Sequence, residues 1–473
     1  MMNSTLQKML TGLCLLGILE NTQAQRNEPL SSWLTDPDRN VYFKRQEEHP
    51  LFIKQALDKG KPSITVDEKQ RSQTMDGFGW ALTGGSATQI IRMSPGTRAA
   101  LLKELFATTE NNIGGSYLRI SIGASDLNEK VFSYDDLPAG QVDTALHQFD
   151  LGPDRRDVIP VLKEILAINP LIKVLGSPWS PPAWMKTNND TRGGSLKPEY
   201  YGVYAHYLVR YIREMKKEGI RIDAITVQNE PLHPGNNPSL LMPAAEQGAF
   251  VKNFLGPAFR RAKLDTKIII YDHNADRPDY PISILKDPAA AKYIDGSAFH
   301  LYAGKIEALS EVHHAFPGKN LYFTEQWVGA PGNPGDIREH IQKLIIGATR
   351  NWSRNVVEWN LASDPAYKPH TDRGGCDRCL GALTIDGDKV TRNPAYYIIA
   401  HAAKLVRPGS VRIGSETNAE GEGLPNTAFR TPAGRTVLIV LNNTAAPRDF
   451  SILFNGKSAR TRLPAGAVAT YQW

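Results

Sequence analysis

Ala224-Ile-Thr-Val-Gln-Asn-Glu-Pro231 is a short apolar run that stops abruptly at an amide, a carboxylate and a proline. A second stretch, Leu321-Tyr-Phe-Thr-Glu-Gln-Trp327, alternates as a β-strand does and ends on Glu325. Both patterns predict buried parallel strands whose last residue emerges at a sheet edge. Two glutamates at the ends of separate strands of one closed sheet can face each other across a small bound ring.

Working outward from these two runs, the chain alternates apolar strand candidates with helical stretches. The candidate strands are 77–82, 117–122, 173–177, 222–227, 267–271, 296–300, 321–324 and 356–359. Segments with helical periodicity or composition lie between them at 95–106, 155–168, 199–217, 244–262 and 337–350. Eight strands separated by helices predict an α/β fold, a (β/α)8 TIM barrel, over residues 73–406. An open doubly wound sheet is the other topology with this alternation, but no glycine-rich phosphate loop follows the first strand. After a last helix near 394–406 the pattern changes to short alternating strands with turn residues between them, at 427–431, 436–442, 450–454 and 467–473. These predict a β-sandwich over 407–473. The segment 25–72 reads as extended, with scattered aromatics and an alternating run from Ser63 to Asp67, and is expected to add N-terminal strands to that sandwich.

Composition narrows the classes. The chain has 473 residues, 41% of them hydrophobic, enough for a large core and two domains. Its 55 basic and 49 acidic residues are spread without a dense Lys/Arg block, so nucleic acid is not an expected partner. At the N-terminus, Lys8, an apolar core over 9–19 and Thr22-Gln-Ala24 predict a signal peptide over 1–24 and a secreted or periplasmic protein. No other run approaches about 18 apolar residues, so stable membrane insertion is not expected. Beyond the leader only Cys376 and Cys379 remain. Their spacing suits a small loop disulfide in an oxidising compartment; a zinc site would need two further ligands that the sequence does not place.

Catalytic groups of a barrel sit at the carboxyl ends of its strands. There strand two runs into Arg119 and then Ser125-Asp126, and Ser177-Pro-Trp-Ser-Pro-Pro-Ala-Trp184 follows strand three. Asn229-Glu230 ends strand four, His300-Leu-Tyr302 strand six, Glu325-Gln-Trp327 strand seven and Trp359-Asn360 strand eight. Indole faces stack on the C–H faces of sugars while carboxylates and amides bond their hydroxyls, so the set suits a carbohydrate. Taken singly, a strand-end Glu is more often a surface charge, and His300 on an apolar strand is more often a satisfied core histidine. The concurrence on most strand ends argues for a site. His300 with nearby carboxylates could begin a metal centre, but no second histidine stands at ligand spacing in the expected strands, so neither a metal nor another cofactor is expected.

The motifs Asp76-Gly-Phe-Gly79, Leu118-Arg-Ile120, Ser177-Pro-Trp179, Thr226-Val-Gln-Asn-Glu-Pro231, Phe299-His-Leu-Tyr302, Phe323-Thr-Glu325 and Glu358-Trp-Asn-Leu361 resemble glycoside hydrolase family 30. This group includes glucosylceramidases and β-1,6-glucanases, and the resemblance runs from about Ser63 to the end. It implies a barrel with a side sandwich built from both chain ends, Glu230 as acid/base and Glu325 as nucleophile. It also implies that Asp126, Trp179, Asn229 and Trp359 hold the first sugar, with Arg119, His300 and Tyr302 as polar support. Burial and the charge of Glu325 are expected to keep a proton on Glu230. The loop Gly374-Gly-Cys-Asp-Arg-Cys-Leu-Gly381 looks more like the β-1,6-glucanase branch. The expectation is therefore a secreted retaining β-glycosidase acting on β-1,6-glucan, with a glucosylceramidase or a non-catalytic carbohydrate-binding protein as alternatives.

Overall fold

The computed structural model describes residues 29–54 and 60–473, so the leader expected over 1–24 lies outside the described residues. Eight parallel strands close into a barrel: Gly77–Leu82, Tyr117–Ile122, Lys173–Pro178, Ala224–Thr226, Lys267–Ala275, Ile294–Gly304, Asn320–Glu325 and Ser353–Glu358. Closure is made by the eighth strand against the first, with Asn355 beside Gly77 and Glu358 beside Trp80.

The alternation of side chains along each strand sorts residues between two layers. Tyr117, Leu175, Ala224, Ile269, Ala298, Tyr322 and Val357, one from each of strands two to eight, point inward and fill the barrel. The first strand contributes Gly79 at this level, where a Cβ would stand 1.8 Å from the Tyr117 carbonyl oxygen. The interior is therefore a packed plug rather than a pore. Residues of the opposite parity, such as Phe78, Leu118, Val174, Ile225, Ile268 and Ile270, pack under the helices in the main core. Each such fully buried aliphatic or Phe side chain contributes about 1.5–3 kcal/mol of transfer free energy.

Two expected helices are less regular than their periodicity. Residues 244–262 form α-helix at Ala244–Phe250 and Gly256–Ala262, with a π-helical turn, Val251–Leu255, between them. Pro257 lacks the amide that an unbroken ladder would use, and the widened turn absorbs the loss. Residues 337–350 likewise divide into an α-helix, Pro334–His340, and a π-helical stretch, Ile341–Ala348.

The second unit is a nine-stranded sheet. Its order is Lys457–Leu463, Arg448–Phe454, Ser63–Thr74, Val411–Thr417, Asn426–Arg430, Thr436–Leu441, Val468–Gln472, Ser31–Asp36, Val41–Arg45. Three of its strands come from before the barrel, which is why both chain ends meet here. Strand Thr436–Leu441 shows how the sheet serves two cores: Leu438 and Val440 enter the sandwich interior, while Val437, Ile439 and Leu441 face the barrel. Among the described residues no helix is long and apolar enough to cross a membrane.

Candidate active site

The fifth strand bends sharply where it reaches the barrel rim. Its register slips between Tyr271 and His273, and Tyr271 and Asp272 take left-handed φ values of 73° and 66°. Bulges of this kind re-aim side chains next to active sites. Here the result is a fully buried Asp272 carboxylate. Its Oδ2 accepts from Arg119 Nη2 at 2.9 Å and from Thr226 Oγ1 at 2.7 Å. Its Oδ1 accepts from Thr324 Oγ1 at 2.6 Å and lies 3.2 Å from His300 Nε2. Burial alone would raise this carboxyl, but Arg119 and His300 hold it well below the usual carboxylate range.

Arg119, wholly buried on the second strand, is the hub. Its guanidinium donates to Glu325 Oε2 at 2.5 Å, Asn229 Oδ1 at 2.6 Å, Asp272 and Ser177 Oγ. The fork geometry of arginine lets one side chain fix all four strand ends at once. Burial lowers the guanidinium's pKa, but Asp272 and Glu325 more than offset it, so the group stays charged. Glu325 also accepts from the Tyr302 hydroxyl at 2.9 Å on its other oxygen. Tyr302 is 39% exposed as a residue, yet its hydroxyl points inward.

Glu230 has a left-handed φ of 43°, an uncommon conformation for a side-chain-bearing residue, and its amide donates to the Asp272 carbonyl at 2.9 Å. Its Oε1 lies 3.0 Å from His300 Nδ1 and 3.7 Å from His273 Nδ1. The same His300 nitrogen is 3.8 Å from Glu325 Oε1. The two glutamates thus converge on one ring atom. Burial would lower the His300 imidazole, but Glu325, Asp272 and Glu230 raise it to about 9. Glu230 is shifted the opposite way: burial raises it, and His273 and His300 bring it down. This corrects the sequence expectation of a proton resting on Glu230. Both shifts favour the proton on His300 over Glu230.

Trp179 and Trp359 stack on each other with ring centroids 5.4 Å apart and cover the Arg119 guanidinium at 4.9 and 5.8 Å. The peptide between Trp359 and Asn360 is cis. Asp126 joins this wall beneath the loop after strand eight, where its Oδ2 accepts from the Cys376 amide at 3.3 Å. Burial, then the charges of Glu325 and Glu230, push the Asp126 carboxyl up to about 7. Cys376 and Cys379 are disulfide-bonded, which settles the open reading of the C-x-x-C pair.

All nine residues singled out in the sequence therefore meet in one place. Trp184, the other indole of the proline loop, is turned away into the core and donates to the Asp135 carbonyl. Two participants escaped the sequence reading, Asp272 and His273. They directly follow the apolar run 267–271, so the rule that nominated the other strand ends would have found them. His273 also overturns the expectation that no second histidine stands near His300.

The family models fit the same two units. The glycosyl hydrolase family 30 TIM-barrel domain matches residues 75–406. The chain belongs to glycoside hydrolase family 30. That family's beta sandwich domain matches residues 409–471. Endo-1,6-beta-D-glucanase neg1 of Aspergillus fumigatus is 35% identical over 86% of this chain and 87% of its own length. The lysosomal acid glucosylceramidase of Mus musculus is 30% identical, over 87% of this chain and 83% of its own. Among solved structures, the endo-beta1,6-glucanase BT3312 is similar with a TM-score of 0.86 and 34% identity, covering 94% of this chain and 99% of that one. As a member of family 30 the protein is a glycoside hydrolase acting on a carbohydrate substrate.

Proposed function

We propose that this family 30 enzyme hydrolyses β-1,6-glucan with retention of configuration, Glu325 acting as nucleophile and Glu230 as acid/base. The observation that carries the reading is the shared His300 nitrogen, 3.0 Å from Glu230 and 3.8 Å from Glu325. Oxygens at those distances from one atom can be farther apart than about 6.5 Å only if they lie nearly opposite each other across it. That favours the close pair of retaining enzymes, about 5–5.5 Å, over the ~6.5–9.5 Å gap that inversion needs for a water.

Arg119 and Tyr302 occupy both Glu325 oxygens and orient the carboxylate toward an anomeric carbon. The leaving oxygen takes its proton from Glu230, and the supply is one hydrogen bond away. Transfer from His300 Nδ1 to Glu230 Oε1 gives a neutral imidazole and a protonated acid. Once the glycosyl-enzyme has formed, Glu230 is left as the base that activates water. Asn229, fixed by Arg119, is placed to bond a sugar hydroxyl. Asp126, Trp179 and Trp359 form the wall for the first ring.

Substrate choice rests on likeness and on surface chemistry. Both a curated relative and a solved structure named as β-1,6-glucanases align over most of the chain. Among the described large apolar side chains left exposed, Tyr302 belongs to the catalytic cluster and turns its hydroxyl to Glu325, whereas a ceramide would favour a broad apolar surface. The disulfide fits a protein that works outside the cytosol, which supports export by the N-terminal leader. The glucosylceramidase reading is kept as second because of the mouse relative. Product analysis on β-1,6-glucan, β-1,3-glucan, xylan and glucosylceramide tests the assignment, with fresh product followed by NMR. Cleavage of β-1,6-glucan with the β-anomer appearing first is expected; initial α-anomer or preference for the lipid would overturn the corresponding part.

A further inference from the structure

His273 has no evident task in that chemistry. It is 7% exposed, and its Nδ1 is buried without a hydrogen-bond partner, an arrangement that costs stability unless something binds there. The atom nearest to it in charge terms is Glu230 Oε1, at 3.7 Å. His300 Nδ1 approaches the same oxygen at 3.0 Å, and Glu230, His273 and His300 each bring a ligand atom within 4.8 Å of the others'. A zinc ion bound at ~2.0–2.1 Å holds tetrahedral donors roughly 3.3 Å apart, so these spacings need only small side-chain shifts to close on an ion.

Two further features fit a cation. Asp272 Oδ1, 3.2 Å from His300 Nε2, is placed to accept that nitrogen's proton in a hydrogen bond, so an ion that displaces the Nδ1 proton meets a lone pair there. Carboxylate–histidine pairs of this kind orient and strengthen metal ligands. Asp272 is itself fixed by Arg119, Thr226 and Thr324. The cluster also gathers three carboxylates: Asp272 and Glu325 pair with Arg119, and Glu230 with His300, so once His300 gives up its Nδ1 proton one guanidinium faces all three. A divalent ion would balance that surplus. Two imidazole nitrogens and one carboxylate oxygen suit zinc and its first-row neighbours; calcium and magnesium prefer all-oxygen shells.

We propose that Glu230 Oε1, His273 Nδ1 and His300 Nδ1 form a binding site for zinc-like divalent cations, and that an ion seated there inhibits hydrolysis by occupying Glu230. The binding half stands on geometry alone. The inhibitory half rests on Glu230 being the acid/base.

The experiment titrates zinc sulfate into the chelator-treated full chain by calorimetry, and cobalt by its visible absorption. One ion per chain is expected in the parent and in Glu325→Gln, which keeps every ligand. His273→Gln is expected to weaken binding at least ~tenfold, on the scale that lost ligand-shell contacts carry. His314→Gln, on an exposed helix, is the control for surface histidines and should leave binding unchanged. In parallel, zinc should slow hydrolysis of an aryl β-glucoside reversibly with EDTA, while equal magnesium does not. The zinc concentration for half-inhibition should rise at least ~tenfold in His273→Gln, scaled to that variant's own zinc-free rate. If His273→Gln does not fold, β-1,6-glucan oligosaccharide added to Glu325→Gln gives a second measurement: it should weaken zinc binding by competition. No saturable zinc uptake, or uptake indifferent to both His273→Gln and the oligosaccharide, overturns the site. His273-dependent zinc binding that leaves the rate untouched, or raises it, overturns the inhibitory half and counts against Glu230 as acid/base while the site stands.

Discussion

Glu230 and Glu325 sit in different surroundings, and substitution should separate them. An amide at position 325 cannot attack an anomeric carbon, so Glu325→Gln should abolish glycosyl-enzyme formation for every leaving group. Glu230→Gln should spare that first step for a dinitrophenyl glucoside, which needs no proton, and slow it by about 10²–10⁴ for poor leaving groups. Stopped-flow bursts on the two variants check this; equal inactivity on the activated substrate would reverse or void the roles. Asp272→Asn gives a second test. It removes a charge from a buried network in which breaking one partnership costs about 3–5 kcal/mol. Because Asp272 helps to raise His300 to about 9, the alkaline limb of kcat/KM should move to lower pH in this variant. A limb that stays put would separate His300 from the proton supply. The site's legibility follows the same lines. Glu230, Glu325 and the tryptophans were readable because each ends or follows an apolar run of strand length, while Arg119 stands inside one. Asp272 and His273 also follow such a run, 267–271, but the bulge that turns them into the site has left-handed residues and carries no hydropathy signature.

The loop 374–381 carries the Cys376–Cys379 disulfide beside the cleft. In the structure the Cys376 amide bonds Asp126, while Cys379 is buried against Trp179 and Trp359 and pairs with Gly329. The loop therefore braces the wall of the first ring. Cys376→Ser with Cys379→Ser should raise KM for glucan and for an aryl glucoside alike, with kcat less affected. Thermal unfolding separates this from general loss of stability: an unchanged midpoint with both KM values raised is the expected outcome. The helices and barrel strands were legible because burial on one or both faces imposes a period. Lys457–Leu463 was missed since, as an edge strand carrying Lys457, Arg460 and Arg462, it lacks the apolar run that marked its neighbours. Val411–Thr417, though central, is broken in register twice and carries Gly414.

Over the whole molecule, the expectation that both chain ends build one sheet beside the barrel holds, and His401 is among the residues that join the units. His401, on the helix Pro394–Ala403, is fully buried between Thr35 and Thr470, which lie on the paired first and last strands of the sheet. Its ring nitrogens contact their hydroxyls at 2.7 and 2.9 Å, and Phe43 packs edge-on against it. Burial lowers the imidazole to about 3. The unfolded chain, with an ordinary histidine near pH 6.5, takes up this proton first, so stability is present above about 6.5 and is lost as pH falls toward 3. At pH 5 the loss from this residue alone is about 2 kcal/mol. Asp126 and Asp154 act in the opposite sense: burial raises them to about 7 and about 8, so they favour the folded state on acidification. The total pH profile thus mixes signs, and a difference measurement is needed. His401→Gln loses packing at every pH but carries no titrating group. Its deficit in unfolding free energy relative to the parent should therefore shrink by about 2 kcal/mol between pH 7.5 and pH 5. Denaturant unfolding at the two pH values reads this directly; a deficit that stays constant would mean the imidazole is solvated in the native state and that the barrel and sandwich are held together without it.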